Sequence, residues 1–208
     1  MMIGGFGVPG TPFELIKELV RQGQRNLTVI KNDANEAGMG VDDLLVNGQV
    51  QRLIVTHIGL NPNAMHMMHE GGLQVEFLPQ GILAERVRSG GAGLLGIVTD
   101  VGIGTEINEA KQIVDVGGVR GVIEPALRAD FALIHAADAD TFGNLRFAGT
   151  ARNFNPLMAM AAGCTIVETE RISALGTVAP EDVHLPGVFV DYIVELGDLS
   201  EAYDVVQR

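Results

Sequence analysis

The sequence predicts an α/β fold of three layers, a mostly parallel sheet between two layers of helices with a small β excursion, and three observations carry that expectation. Short runs rich in aliphatic and β-branched residues recur at residues 1–5, 27–31, 52–57, 73–78, 131–136 and 164–168. These runs are continuously apolar, which suits strands covered on both faces. Between them lie glycine-bounded segments of helical period, and strands that alternate with helices build parallel crossovers.

The elements follow in order. The first run ends in a glycine-rich turn, and the helix after it carries a full start signal. Thr11 stands as N-cap, Pro12 at the first helical position and Glu14 as the acid of a capping box, ahead of Leu15, Ile16, Leu19 and Val20. Such a cap contributes about 1 kcal/mol. The second run ends in Asn32-Asp33, the third in His57, and the fourth in Pro79-Gln80-Gly81. Between residues 100 and 121 the pattern loosens into glycines and short β-type pieces, read as a hairpin-like excursion or lid. A last strand-like stretch covers residues 188–194. No repeat interrupts this order, so a single domain over residues 1–208 is expected, with room for a few residues upstream of a chain that opens directly into a strand.

Composition narrows the function. Twenty-six acids against fourteen bases give a net charge of -12, a poor match to a phosphodiester backbone, so no nucleic-acid partner is expected. Cys164 is the sole cysteine, which excludes an intrachain disulfide and favours a reducing, cytoplasmic setting. The longest apolar run, residues 157–167, falls well short of the roughly 20 residues that span a bilayer, and no membrane association is expected. His66 and His69 share a helix face three residues apart, but no third ligand converges on them in the sequence, so no metal is expected.

Gly5-Phe6-Gly7-Val8-Pro9-Gly10 spells G-x-G-x-x-G after a strand, and Asp33 follows about twenty residues later, as in the dinucleotide fingerprint. In an NAD-binding domain the helix starts near the second glycine. Pro12 would then lie inside it, at a cost of roughly 3 kcal/mol. A plain strand–turn–helix with glycines at positive φ is the simpler alternative.

With its flanks, the segment from Met1 through Pro12 reads as three aliphatics followed by G-G-F-x-x-x-G-x-P, and it resembles the signature of the alpha (A-type) chains of the family I coenzyme A transferases. Further segments resemble that family in order: Asn32-Asp33-Ala34, Leu78-Pro79-Gln80-Gly81, Gly90-Gly91-Ala92-Gly93, Arg128-Ala129-Asp130, Gly143-Asn144-Leu145, Ala151 to Pro156, and Pro180 to His184 with Pro186-Gly187. They span nearly the whole chain. The resemblance implies the CoA-transferase fold and covalent catalysis. CoA passes from an acyl-CoA donor to a short-chain carboxylic or 3-oxo acid through a glutamyl-CoA thioester. In the family the nucleophilic glutamate belongs to a beta (B-type) chain, in an S-E-N-G type motif, and Ser-Glu-Asn-Gly does not occur here. The chain is therefore expected to be inactive alone and to form a heterodimer or heterotetramer, with no cofactor beyond coenzyme A as substrate. Glu70, before Gly71, sits at the end of a helical pattern and is not nominated.

The resemblance also assigns site residues. Gln80 matches the glutamine of the family's P-Q-G step and is the expected oxyanion donor; helix capping is its alternative. Asn32 and Asp33 form a polar pair at a strand's carboxyl end, beside the substrate or closing an Asx-turn. Gly90, Gly91 and Gly93 read as an active-site loop or as a tight turn. Gly5, Phe6, Gly7 and Gly10 line the crevice from the first turn, with core packing the alternative for Phe6. Residues 152–156 are expected to order the sheet edge or an interface. A sugar-phosphate isomerase or effector-binding module of the same broad fold is the competing reading, with phosphate-cradling glycines and no covalent chemistry.

Overall fold

A computed structural model describes residues 1–197. Within them the chain runs β1 (Met2–Ile3), α1 (Phe13–Gln22), β2 (Leu27–Ile30), α2 (Val41–Val46), β3 (Val50–Val55), α3 (Pro62–His69), β4 (Gln74–Phe77), α4 (Gln80–Gly91), β5 (Gly96–Thr99), β6 (Ile113–Val116), β7 (Val119–Pro125), β8 (Ala129–Ala136), β9 (Asp138–Asp140), β10 (Leu145–Arg146), α5 (Asn155–Met160), β11 (Ala162–Thr169), β12 (Ile172–Ser173) and β13 (Tyr192–Glu195).

The six apolar runs fall on strands of one parallel sheet, ordered β13-β11-β8-β1-β2-β3-β4. The chain begins in the middle, builds outward through β2, β3 and β4, then returns to fill the other side through β8, β11 and β13. The order thus reverses between β1 and β8. In open parallel sheets a crevice forms outside the carboxyl ends of the strands at such a reversal.

Strand alternation distributes the core into two layers. Met2, Ile30, Ile54 and Ile134 face Leu83 and Val87 of α4 and Met158 of α5. Ile3, Val29, Leu53 and Val55 face Ile16 of α1, Leu44 and Leu45 of α2, and Ala64 of α3. Each of these side chains is buried, and burying a large aliphatic one stabilises the fold by about 1.5–3 kcal/mol.

The expected excursion is a separate antiparallel sheet, β5-β7-β6, closed by Gly117 and Gly118 at φ 62° and 85°. Two positive φ values in a two-residue loop are what a type I′ hairpin turn requires. The excursion starts earlier than expected, at Gly96, and Arg86 anchors it by donating from Nε to Pro125 O at 2.7 Å. The final strand is shorter than expected, because residues 187–189 form a 3₁₀ turn.

The start of α1 departs from the expected capping box. Pro12 is the N-cap, and Thr11 instead donates its hydroxyl to Gly7 O at 2.7 Å. Glu14 pairs with Lys17. The Leu15 N–H is accepted by Glu168 Oε2 at 2.9 Å, a carboxylate 153 residues further along the chain.

Candidate active site

A cleft of about 790 Å³ opens over the carboxyl ends of β1, β2, β3 and β8, at the reversal in strand order. The glycine turn, residues 6–10, forms one wall and the loop after β2 forms another, with Ile58 and Leu60 after β3 and residues 148–151 completing it. Apolar groups dominate this lining, and Phe6 remains 46% exposed. That settles Phe6 as a crevice residue rather than core. Asp33, Glu36, His57, His135 and Glu170 are its titratable groups, and none of the lining residues is a lysine or arginine.

The glycine turn is shaped from beneath by Asn155, at the start of α5. This side chain is fully buried. Its Nδ2 donates to Gly10 O at 3.0 Å and Ala151 O at 2.7 Å, and its Oδ1 accepts from His135 N at 3.4 Å. A Cβ on Gly4 would lie 1.7 Å from Asn155 Oδ1, and one on Gly10 would lie 2.4 Å from Asn155 Nδ2. Both positions therefore exclude a side chain. Gly5, at φ 97°, packs against Thr11 in the same way. Asn153 adds a hydrogen bond from Nδ2 to Pro9 O at 2.9 Å. The segment 152–156 thus orders the turn at the centre of the sheet, not the sheet edge.

Asp33 ties that turn to the loop after β2. Its Oδ2 accepts from Gly7 N at 2.8 Å and from Asn32 Nδ2 at 2.9 Å, while Oδ1 accepts from Asn35 N at 2.9 Å and faces Lys31 Nζ at 3.5 Å. The bond to Asn35 is the Asx-turn anticipated as the alternative role. Burial opposes ionisation of Asp33, but the Lys31 charge, the Asn32 amide and two backbone N–H groups outweigh it, so the carboxyl lies below its ordinary value. Lys31 is completely buried, and burial pulls its ammonium down against the raising effect of Asp33. Beyond Asp33, the Asn32 Oδ1 accepts from Gln80 Nε2 at 2.8 Å. Gln80 is the first residue of α4, and its side chain reaches Asn32 across β3.

A second polar cluster does not follow from the sequence reading. His135, in β8, meets Glu168 of β11 at 2.9 Å through Nδ1 and Glu170 at 3.3 Å through Nε2. Glu168 is fully buried and also caps α1. The signal in the sequence is a histidine and a glutamate near the carboxyl ends of otherwise apolar runs, where a buried polar group demands a partner.

The structure brings Phe6, Gly7, Gly10 and Asp33 to the cleft. Asn32, which is buried, and Gln80, which is exposed, are not on the lining and stand one and two hydrogen bonds from Asp33. Gly5 lies in the turn but not on the lining. Gly90, Gly91 and Gly93 do not border the cleft, so the expected glycine loop is not part of it. Gly90 and Gly91 are the last residues of α4. A Cβ on Gly90 would lie 2.0 Å from Leu127 O, and one on Gly91 would lie 2.8 Å from Met160 Cβ, so close helix packing accounts for both. Gly93, at φ 74°, takes the turn that follows.

Residues 1–196 match the Coenzyme A transferase family. The chain belongs to that family. It is 53% identical to a probable coenzyme A transferase alpha subunit of Bacillus subtilis (strain 168), over 93% of this chain and 85% of that one. It is 43% identical to the alpha subunit of acetate CoA-transferase from Escherichia coli (strain K12), over 93% of this chain and 88% of that one. The fold of an acyl-CoA transferase from E. coli O157:H7 superimposes with a TM-score of 0.82 at 22% identity, covering 98% of this chain and 44% of that longer chain. In this CoA transferase chain α1 begins after Pro12, later than a dinucleotide helix would, and its relatives support transferase chemistry over the NAD and sugar-phosphate readings. Among the described residues, no helix is long and apolar enough to cross a membrane.

Proposed function

We propose that this CoA transferase chain is the alpha, A-type member of a two-chain enzyme that moves CoA from an acyl-CoA donor to a short-chain carboxylic or 3-oxo acid. The observation that carries the reading is a family match over residues 1–196 to relatives named as alpha subunits, in a chain without a Ser-Glu-Asn-Gly motif. The nucleophilic carboxylate then comes from a beta, B-type partner. It attacks the thioester carbonyl, the carbonyl oxygen gains charge, and collapse of the tetrahedral species gives an acyl-glutamyl anhydride and free CoA thiolate. The thiolate attacks the glutamyl carbonyl, which releases the acyl carboxylate and leaves a glutamyl-CoA thioester; the acceptor acid repeats the sequence in reverse.

This chain supplies a mostly apolar wall and a neutral hydrogen-bond donor for those steps. Gln80 Nε2 carries two N–H bonds, of which one is held by Asn32, and the other donates to the oxygen that becomes charged. A neutral donor acts on charge that exists only in the transition state, and such a donor is worth about 3 kcal/mol. Phe6 and the aliphatic lining keep water from the anhydride, and no cofactor takes part beyond CoA itself.

The test is to purify the chain with and without its beta-type partner, then assay CoA exchange between acyl-CoA and free carboxylates. Exchange is expected only in the complex, with a hydroxylamine-sensitive thioester mapping to the partner. Gln80→Ala is expected to lower kcat by about a hundredfold or more while the complex still assembles. Exchange by the isolated chain would refute the division of labour, and unchanged turnover in Gln80→Ala would remove Gln80 from the mechanism.

A further inference from the structure

Asp33 does more than close a loop, because its hydrogen bonds run in one direction toward Gln80. An ionised carboxylate only accepts, so Asn32 can meet Asp33 Oδ2 only with its amino group, at 2.9 Å. The Asn32 side-chain carbonyl is thereby turned away from Asp33 and must be met by donors. Gln80 Nε2 lies there at 2.8 Å and the Thr56 hydroxyl at 3.5 Å. One of the two Gln80 amide hydrogens is therefore committed to Asn32, and the other is held at a fixed angle.

We propose that Lys31 and Asp33 are positioning residues that set the amide orientation of Gln80 through Asn32. The inference rests on the reading of Gln80 as an oxyanion donor. Lys31, with no exposed side-chain surface and its Nζ 3.5 Å from Asp33 Oδ1, supplies the opposite charge inside the fold. The other Asp33 partners, the N–H groups of Gly7 and Asn35, are backbone and cannot reverse.

Replacing Asp33 by asparagine exposes the logic. The new amino group must oppose either Lys31 and the Asn35 N–H, or the Gly7 N–H and Asn32. The second choice avoids the ammonium, and it forces the Asn32 amide to flip. Gln80 would then turn its Oε1 toward Asn32, and its N–H would leave the position it holds. A displacement of about 1 Å at such a group can cost roughly a hundredfold in rate.

The experiment uses the complex of this chain with its beta-type partner and measures steady-state CoA transfer for wild type, Asp33→Asn, Gln80→Ala and the double variant. Asp33→Asn is expected to lower kcat about tenfold or more while KM for acyl-CoA stays within about threefold. In the Gln80→Ala background, adding Asp33→Asn is expected to change kcat by less than about twofold, because the amide it orients is gone. Effects that multiply, or a wild-type kcat in Asp33→Asn, overturn the relay. Lys31→Met, run through the same cycle, is expected to show the same non-additivity and decides the matter if Asp33→Asn does not assemble. Slow turnover in Gln80→Ala beside normal turnover in both Asp33→Asn and Lys31→Met removes only the relay. Normal turnover in Gln80→Ala takes the donor reading and the relay together.

Discussion

A methyl group at position 4 should be as damaging as the loss of Asn155, and the two changes together no worse than either. Gly4 has no positive φ, so alanine meets no backbone strain there, only the 1.7 Å approach of its Cβ to Asn155 Oδ1. Asn155 must leave its place. Its departure removes the amide that donates to the carbonyls of Gly10 and Ala151 at 3.0 and 2.7 Å and the oxygen that accepts from the His135 N–H at 3.4 Å. A buried group left without a partner costs about 1–3 kcal/mol, and the long third bond counts least, so each single variant should lose about 3 kcal/mol or more. In the Asn155→Ala background the alanine methyl enters space already vacated. The double variant should then lose about as much as Asn155→Ala alone, a coupling of about 3 kcal/mol. Urea unfolding of the full-length chain, followed by far-ultraviolet circular dichroism, measures all four corners. Additive losses, or a Gly4→Ala protein within about 0.5 kcal/mol of wild type, would refute the packing argument.

Two further predictions concern the buried carboxylates. Glu168→Ala removes both the cap on Leu15 N and the partner of His135 Nδ1, and should cost about 2–4 kcal/mol. Glu168→Gln should recover most of that, since its carbonyl can still cap Leu15 and its amide can face a His135 that shifts its proton to Nε2; equal losses in the two variants on urea unfolding would contradict this. The second is acid sensitivity. In Asp33 and Asp140 burial opposes ionisation but hydrogen bonds, with the Lys31 charge for Asp33, hold the carboxyls below the ordinary 3.8. A depressed carboxyl contributes stability that is present above its unfolded pKa and is lost as pH falls through the folded value. The urea midpoint should accordingly be insensitive to these groups above pH of about 5 and drop below about 4, less steeply in Asp33→Asn. A midpoint that climbs on acidification would reverse the assigned sign.

The sheet was legible because its strands are covered on both faces, which leaves them continuously apolar. Their ends were less so. β3 starts at Val50 rather than Arg52, because the exposed, polar Gln51 separates Val50 from the apolar run and looks like loop, while His57 lies past the end of the strand, at the cleft. The cap of α1 was misplaced for a different reason. Thr11 and Glu14 have the right spacing, but a fully buried carboxylate from β11 occupies the position first, and no local pattern announces a partner 153 residues away. His135 and Glu168 carried a signal in isolation, yet pairing them requires knowing that β8 and β11 are neighbours, and strand order is not written in periodicity. Gly90 and Gly91 show the opposite failure. Glycine lets backbone approach a ligand or another backbone equally well, and here it is Leu127 and Met160 that approach.

The segment that spells a dinucleotide motif is built differently from a phosphate site. A phosphate site at a glycine turn needs backbone N–H groups and a helix N-terminus turned toward the ligand. In this chain the Gly7 N–H is taken by the Asp33 carboxylate, the Phe6 and Thr11 N–H groups by Pro9 and Val8 carbonyls, and the Leu15 N–H at the start of α1 by Glu168. The acid that would hold a ribose hydroxyl is turned inward onto the turn itself. Two of the fold's own carboxylates thus occupy donors that an anionic ligand would use, and the cleft beside them has no lysine or arginine in its lining. Such a surface offers little to a pyrophosphate. The reaction we propose asks for something else, a neutral donor to a thioester oxygen that acquires charge only as a carboxylate attacks, and Gln80 is our candidate for it.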